Sequence, residues 1–234
     1  MNARCVLFFL QRCPPCLKLP HVPPRMIKDT MQLILIRHGE TLWNKEDRVQ
    51  GRSDIELSPV GIEQARLLAL SLKDQPIGSI HASPLKRALK TAQIINEFHR
   101  QEIQTHPGLM EMDQGDFEGF SFKELIATQK DFLNNWIANP ASVRIPNGES
   151  LAVLQERAWR AVETIINQEQ NALVVAHNFT IATILCRIRK ISLSEFLSTC
   201  VGTASKTIVH FQNGEAEIVA LNDRSHLPET SKKW

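Results

Sequence analysis

Leu33-Ile34-Leu35-Ile36-Arg37-His38-Gly39-Glu40-Thr41 decides the reading of this chain. Four consecutive apolar residues, two of them β-branched, make a short strand of the kind buried inside a parallel sheet, and the run ends abruptly in a cation, an imidazole and a glycine. Strands of that type present the residues that follow them at the carboxyl edge of the sheet, where open α/β folds bind ligands. Arg37, His38 and Gly39 are therefore predicted at a ligand-facing rim.

A second run of the same kind, Ala172-Leu173-Val174-Val175-Ala176, also ends in a polar rim, His177-Asn178. Between the two, Gly78 to Ala82 reads as a short strand that stops at Ser83-Pro84, an N-cap hydroxyl followed by the proline favoured in a first helical turn. The helix it opens carries Leu85, Ala88, Leu89, Ala92, Ile95 and Phe98 at helical spacing, with Arg87 in the first turn and off that stripe. His81 and His99 fall within strand and helix patterns and read as structural. Residues 44 to 56 show no period and form a loop bearing Asn44, Gln50 and Gly51. Ser58-Pro59 then starts an amphipathic helix through Leu72.

Leu109 to Gly119 is a turn-rich acidic loop containing Glu111, Asp113, Asp116 and Glu118, the last three read as solvated acids. Ser121 and Glu124 form a capping-box pattern for a helix through Phe132 and Trp136. A further helix runs from Leu151, another follows His177, and a short one is capped by Ser192. Two strand-like runs flank the turn Asn213-Gly214. Strands alternating with helices argue for an α/β three-layer sandwich, a mainly parallel central sheet with helices on both faces and an antiparallel pair at one edge.

The totals bound what the chain does. Its 234 residues, 43% hydrophobic, suffice for one sizeable core, so a single catalytic domain is expected over residues 31–234. Residues 1–30 read as an unpacked, proline-punctuated leader, with Met31 as an alternative start, and the Cys13-Pro14-Pro15-Cys16 pair within it as incidental. A net charge of +2 from nearly balanced acids and bases, without a basic block or interleaved aromatics, argues against nucleic acid or an anionic membrane as partner. No apolar run approaches the roughly 20 residues of a membrane span. Five cysteines, sparse and odd in number, fit a reducing cytoplasm rather than a disulfide framework. Three strands followed by helices bring Arg37-His38, Arg87 and His177 to one edge, a set suited to a phosphate dianion, since guanidinium groups bind phosphate oxygens in pairs.

These motifs resemble the histidine phosphatase superfamily, in its phosphoglycerate mutase-like branch. The resemblance runs from about Gln32 to the C-terminus and rests on Arg37-His38-Gly39-Glu40-Thr41, on Ser83-Pro84-Leu85-Lys86-Arg87-Ala88 with Thr91-Ala92, and on Val175-Ala176-His177. It implies a phosphoglycerate mutase-like fold and a phosphomonoester hydrolase. His38 corresponds to the nucleophile that becomes a phosphohistidine, and Arg37, Arg87 and His177 to the groups that hold the phosphate. Glu111 corresponds to the proton donor to the leaving oxygen, and Asn44, Gln50 and Gly51 to positions that complete the pocket.

No metal and no cofactor is implied, because Arg and His supply the positive charge; the partner is a small phosphorylated metabolite, and a homodimer is left open. Asn178 departs from the glycine common after the second histidine; a left-handed conformation is expected there, which Asn tolerates best among non-glycine residues. The alternative function is phosphoglycerate mutase-type transfer; an inactive binding module of the same fold stands behind it. The acidic Met112–Gly119 loop and the compact chain favour hydrolysis. The substrate-selecting outer pocket is expected around Phe117 to Trp136, with His226.

Overall fold

A computed structural model describes residues 30–231, so the leader, with Cys5, Cys13 and Cys16, lies outside the described residues. Six strands form one sheet: β1 (Met31–Arg37), β2 (Ser79–Ala82), β3 (Ile103–Thr105), β4 (Ala172–Ala176), β5 (Lys206–Gln212) and β6 (Glu215–Asp223). Their spatial order is β3-β2-β4-β1-β5-β6. The first four run parallel, and β5 and β6 close one side antiparallel. The helices are α1 (Leu42–Lys45), α2 (Pro59–Leu72), α3 (Lys86–His99), α4 (Phe122–Thr128), α5 (Lys130–Ala138), α6 (Leu151–Ile166) and α7 (Asn178–Ile188).

Alternation along β1 explains the layers. Side chains one residue apart on a strand point to opposite faces. Ile34 and Ile36 join α2 and α3 in one buried cluster that includes Leu68, Leu72 and Ile95. Leu33 and Leu35 join α6 and α7 in the other, with Val162, Ile165 and Ile181. Both faces of the strand are covered, which is why it reads as an unbroken apolar run. A third cluster, built on Phe117, Leu125, Trp136, Leu154 and Phe196, forms a cap beyond the sheet's carboxyl edge.

Three local expectations are corrected. The helix predicted from Ser121 through Trp136 is two helices, α4 and α5, separated at Gln129, whose φ of −121° is not helical. The capping box itself forms, with the Ser121 and Glu124 side chains each bonding the other's backbone. The segment after Ser192 is a 3₁₀ helix, Leu193–Thr199. Finally, Ser83 does not cap α3: that helix starts at Lys86, whose N–H donates to Asp54 Oδ1 at 2.7 Å. Ser83 is drawn instead to His177.

Candidate active site

Register alone assembles the centre. Arg37 pairs with Ala176 across β1 and β4, and Ala82 with Val175 across β2 and β4. The residues that leave these strands, His38, His177 and Ser83, therefore emerge side by side. The His38 and His177 ring centroids lie 5.1 Å apart, their planes at 60°.

His38 is almost fully buried, and its Nδ1 is 2.7 Å from the Gly39 carbonyl oxygen. A carbonyl can only accept, so Nδ1 carries the proton and Nε2 keeps a lone pair. Burial, followed by the positive charges of Arg87 and Arg37, holds the His38 pKa well below its ordinary value. The imidazole is thus neutral with a defined tautomer, which is the state a nitrogen nucleophile requires. Gly39 is needed here because a Cβ would collide with the Gly61 carbonyl oxygen.

His177 is fully buried with its ring beside that of His38, and it is not among the residues that line the pocket. Its Nε2 is 2.8 Å from Ser83 Oγ, which also accepts from the Leu85 N–H. Its Nδ1 is buried without a hydrogen-bond partner in the protein.

Arg87, 1% exposed, is fixed by its own backbone acceptors: Nη1 donates to Ser53 O at 2.8 Å and Nη2 to Gly51 O at 2.7 Å. Its Nε has no hydrogen-bond partner. Burial lowers its pKa to about 10, which leaves it charged at neutral pH. Arg37 donates from Nη1 to Val201 O at 2.6 Å.

Gly51 adopts φ +53°, and a Cβ there would run into the Glu118 carboxylate. That carboxylate accepts from the Arg52 and Ser53 N–H groups at 2.7 and 2.8 Å, so Glu118 is not the solvated acid expected; it holds the loop on which Arg87 rests. Asp113 pairs with Arg52 at 3.2 Å, while Asp116 is exposed as expected, with Asn147 donating to it.

Asn44 and Gln50 also line the pocket, and Thr41 orients both. The Thr41 N–H donates to Asn44 Oδ1 at 3.0 Å, and its hydroxyl lies 2.9 Å from Gln50 Oε1. With the oxygens turned inward, both NH₂ groups are left as donors for a ligand.

Glu111 lies over the start of α7. Its Oε2 accepts from the Phe179 N–H at 3.2 Å and Oε1 from the Thr180 N–H at 3.1 Å. Arg157 secures the loop behind it, donating to the carbonyls of Gly108, Met110 and Glu111 while paired with Glu149 at 2.8 Å. The helix N-termini that the sequence places beside the site are therefore already occupied, α7 by Glu111 and α3 by Asp54. The anion cradle is made of side chains.

Asn178 is not left-handed. It is the first residue of α7, and its Oδ1 accepts from the Val201 N–H at 2.8 Å, because the turn is made by His177 in extended conformation. His226 does not line the pocket, whereas Phe117, Phe122, Phe132 and Trp136 do. Thr41, Glu118 and the Arg157–Glu149 pair have no assigned role in the sequence reading, and Ser83 has only that of an N-cap. Only Thr41 had a local signal, its three-residue spacing from Asn44.

Together these groups form a pocket of ≈180 Å³ with two guanidinium groups and a neutral imidazole at one end and aromatic rings at the other. That combination suits a phosphate dianion, because guanidinium groups pair with phosphate oxygens. Residues 33–224 match the family model of the histidine phosphatase superfamily (branch 1), and the chain belongs to that family, whose members hydrolyse phosphomonoesters. Phosphoserine phosphatase 1 of Hydrogenobacter thermophilus is 32% identical over 201 residues, 85% of this chain and 95% of the relative. Phosphoglycerate mutase-like protein 4 of Arabidopsis thaliana is 32% identical, covering 86% and 89%. The solved structure of Bacillus stearothermophilus YhfR superposes with a TM-score of 0.79 at 29% identity, covering 84% of this chain and 98% of that one. Among the described residues no helix is long and apolar enough to cross a membrane.

Burial of these imidazoles makes folding sensitive to acid. His38, His177 and His81, the last lowered to about 4 by burial and by His106, are neutral in the folded protein. In the unfolded chain they titrate near 6.5. Below that pH the unfolded state binds more protons, so stability falls as pH drops, by up to about 1.4 kcal/mol per group per pH unit. Urea midpoints at pH 7.5 and 5.5 should show this loss, and replacing His81 with Asn should shrink it.

Proposed function

We propose that this chain hydrolyses phosphomonoesters of small metabolites through a phosphohistidine on His38. The observation that carries this reading is the His38 Nδ1–Gly39 carbonyl contact, which leaves the Nε2 lone pair in a pocket shared with the guanidinium groups of buried Arg87 and half-buried Arg37. In the first step Nε2 attacks phosphorus, the N–P bond forms and the P–O bond breaks, and the Glu111 carboxyl gives its proton to the departing alkoxide. In the second, Glu111 takes a proton from water as its oxygen attacks phosphorus, the N–P bond breaks and inorganic phosphate leaves. Arg37, Arg87 and the His177 ring hold the phosphoryl oxygens, while the Asn44 and Gln50 amides and the Gly51 loop complete the cradle.

Metal independence follows from this charge supply. The test is a phosphate-release screen over metabolites with EDTA present. Free phosphate equal to the ester consumed, with no loss on adding EDTA, is expected. An isomerised phosphoester without free phosphate would instead establish the mutase-type reaction, in which the phosphoryl group returns to a second hydroxyl.

A further inference from the structure

The outer half of the pocket is built for something other than charge. Glu111 accepts from the Phe179 N–H, and Glu111 and Phe179 both line the pocket. From there the aromatics continue in a row. Phe179 stacks on Trp136 with centroids 6.0 Å apart and planes at 18°, and Trp136 on Phe132 at 6.2 Å and 20°. Phe132 meets Phe117 edge to face at 4.8 Å. All four rings line the pocket and belong to, or pack against, the cap's apolar cluster, so the wall is held by a core and not by a loose loop.

Charge is nearly absent from this half. Besides Arg37 and Arg87, the cation lining the pocket is Arg48, whose Nε donates to Glu46 Oε2 at 3.0 Å and whose Nη1 donates to the Gly119 carbonyl at 2.8 Å. Asp47, next to it, adds a negative charge to the rim. A carboxylate on the leaving alcohol would face rings, Asp47 and an arginine already paired with Glu46. Burying a charge without a partner is costly, whereas an aromatic ring entering this row gains apolar contact and offset or edge-to-face stacking.

Resting on the hydrolase reading, we infer that the preferred substrates are phosphomonoesters of apolar, ring-bearing alcohols, and that esters of small alcohols bearing a carboxylate, such as phosphoserine and the phosphoglycerates, are discriminated against. The chemistry is the same hydrolysis; what the aromatic row adds is recognition of the alcohol.

The test compares phenylethyl phosphate, ethyl phosphate and phosphoserine. All three release an alkoxide, so the comparison reads recognition of the alcohol rather than an activated leaving group. Phenylethyl phosphate is expected to exceed phosphoserine in kcat/KM by on the order of 10²-fold, given that a single methylene in a fitted pocket is worth about tenfold or more. Phosphoserine turned over as well as or better than phenylethyl phosphate would overturn the assignment while leaving hydrolysis intact. No phosphate from any of the three would remove the hydrolase reading with it. In Phe132→Ala the phenylethyl-to-ethyl ratio should fall about tenfold, through KM, and an unchanged ratio would also overturn the inference. Phe122→Arg, which places an unpaired cation on the wall, should raise kcat/KM for phosphoserine about tenfold; no increase would count against the charge argument.

Discussion

His38→Ala is expected to abolish detectable turnover, a loss of about 10⁴-fold or more by comparison with other covalent nucleophiles. Nothing else in the pocket offers a neutral nitrogen with its lone pair directed by the protein. The His177 Nε2 is engaged with Ser83 Oγ, and neither arginine can attack. The covalent step divides one difficult displacement into two easier ones, so its loss cannot be recovered by tighter binding. His38 is buried, and removing it leaves a cavity and an unmet Gly39 carbonyl; His38→Asn, closer in volume, separates chemistry from folding. Both variants should fail to form an acid-labile, alkali-stable phosphoenzyme in rapid-quench experiments, with the Asn form retaining the wild-type thermal transition within a few degrees. Substantial turnover in either would show that the phosphoryl group goes directly to water.

Arg87→Ala is the second large effect, a fall in kcat/KM on the order of 10²–10³-fold, as when one donor to a developing oxyanion is removed. The guanidinium does two things that one substitution removes together. It supplies buried positive charge at the phosphate end, and its two Nη groups tie down Ser53 and Gly51, so the loop completing the cradle depends on it. Arg87→Lys should recover little of the loss. A lysine carries the charge but cannot span two carbonyls and present a third donor in one plane. The expected signature is a drop in kcat exceeding the rise in KM, since the charge on the equatorial oxygens matters most during transfer. An Arg87→Lys enzyme with near-normal kcat would mean that charge alone suffices.

Hydrophobic patterning made the frame legible before any coordinates. Both continuous runs, Leu33–Ile36 and Ala172–Val175, are strands covered on two faces, and the alternation within β1 divides its side chains between the two cores. Arg37, His38, Arg87 and Glu111 all line the same pocket, and the His177 ring centroid lies 5.1 Å from that of His38. Local signals failed where a side chain had a distant competitor. Ser83 has the sequence context of an N-cap, yet bonds an imidazole 94 residues away, and Asp54 caps α3 from 32 residues upstream. Glu118 looks like one more acid in a polar loop, but backbone N–H groups 65 and 66 residues away draw it inward. The break at Gln129 has no glycine or proline to announce it.

Periodicity and residue type, taken alone, determined the layered α/β architecture and the sheet edge to which Arg37, His38, Arg87 and His177 are brought, because burial on one face or two leaves its mark on the order of apolar residues along a strand or helix. Only the tertiary structure decided which nitrogen of His38 is free, what holds Arg87 in place, and that a row of aromatic rings lines the same pocket. Those properties depend on hydrogen bonds and ring contacts between segments far apart in the chain. They exist only once the strand order β3-β2-β4-β1-β5-β6 has set the segments side by side.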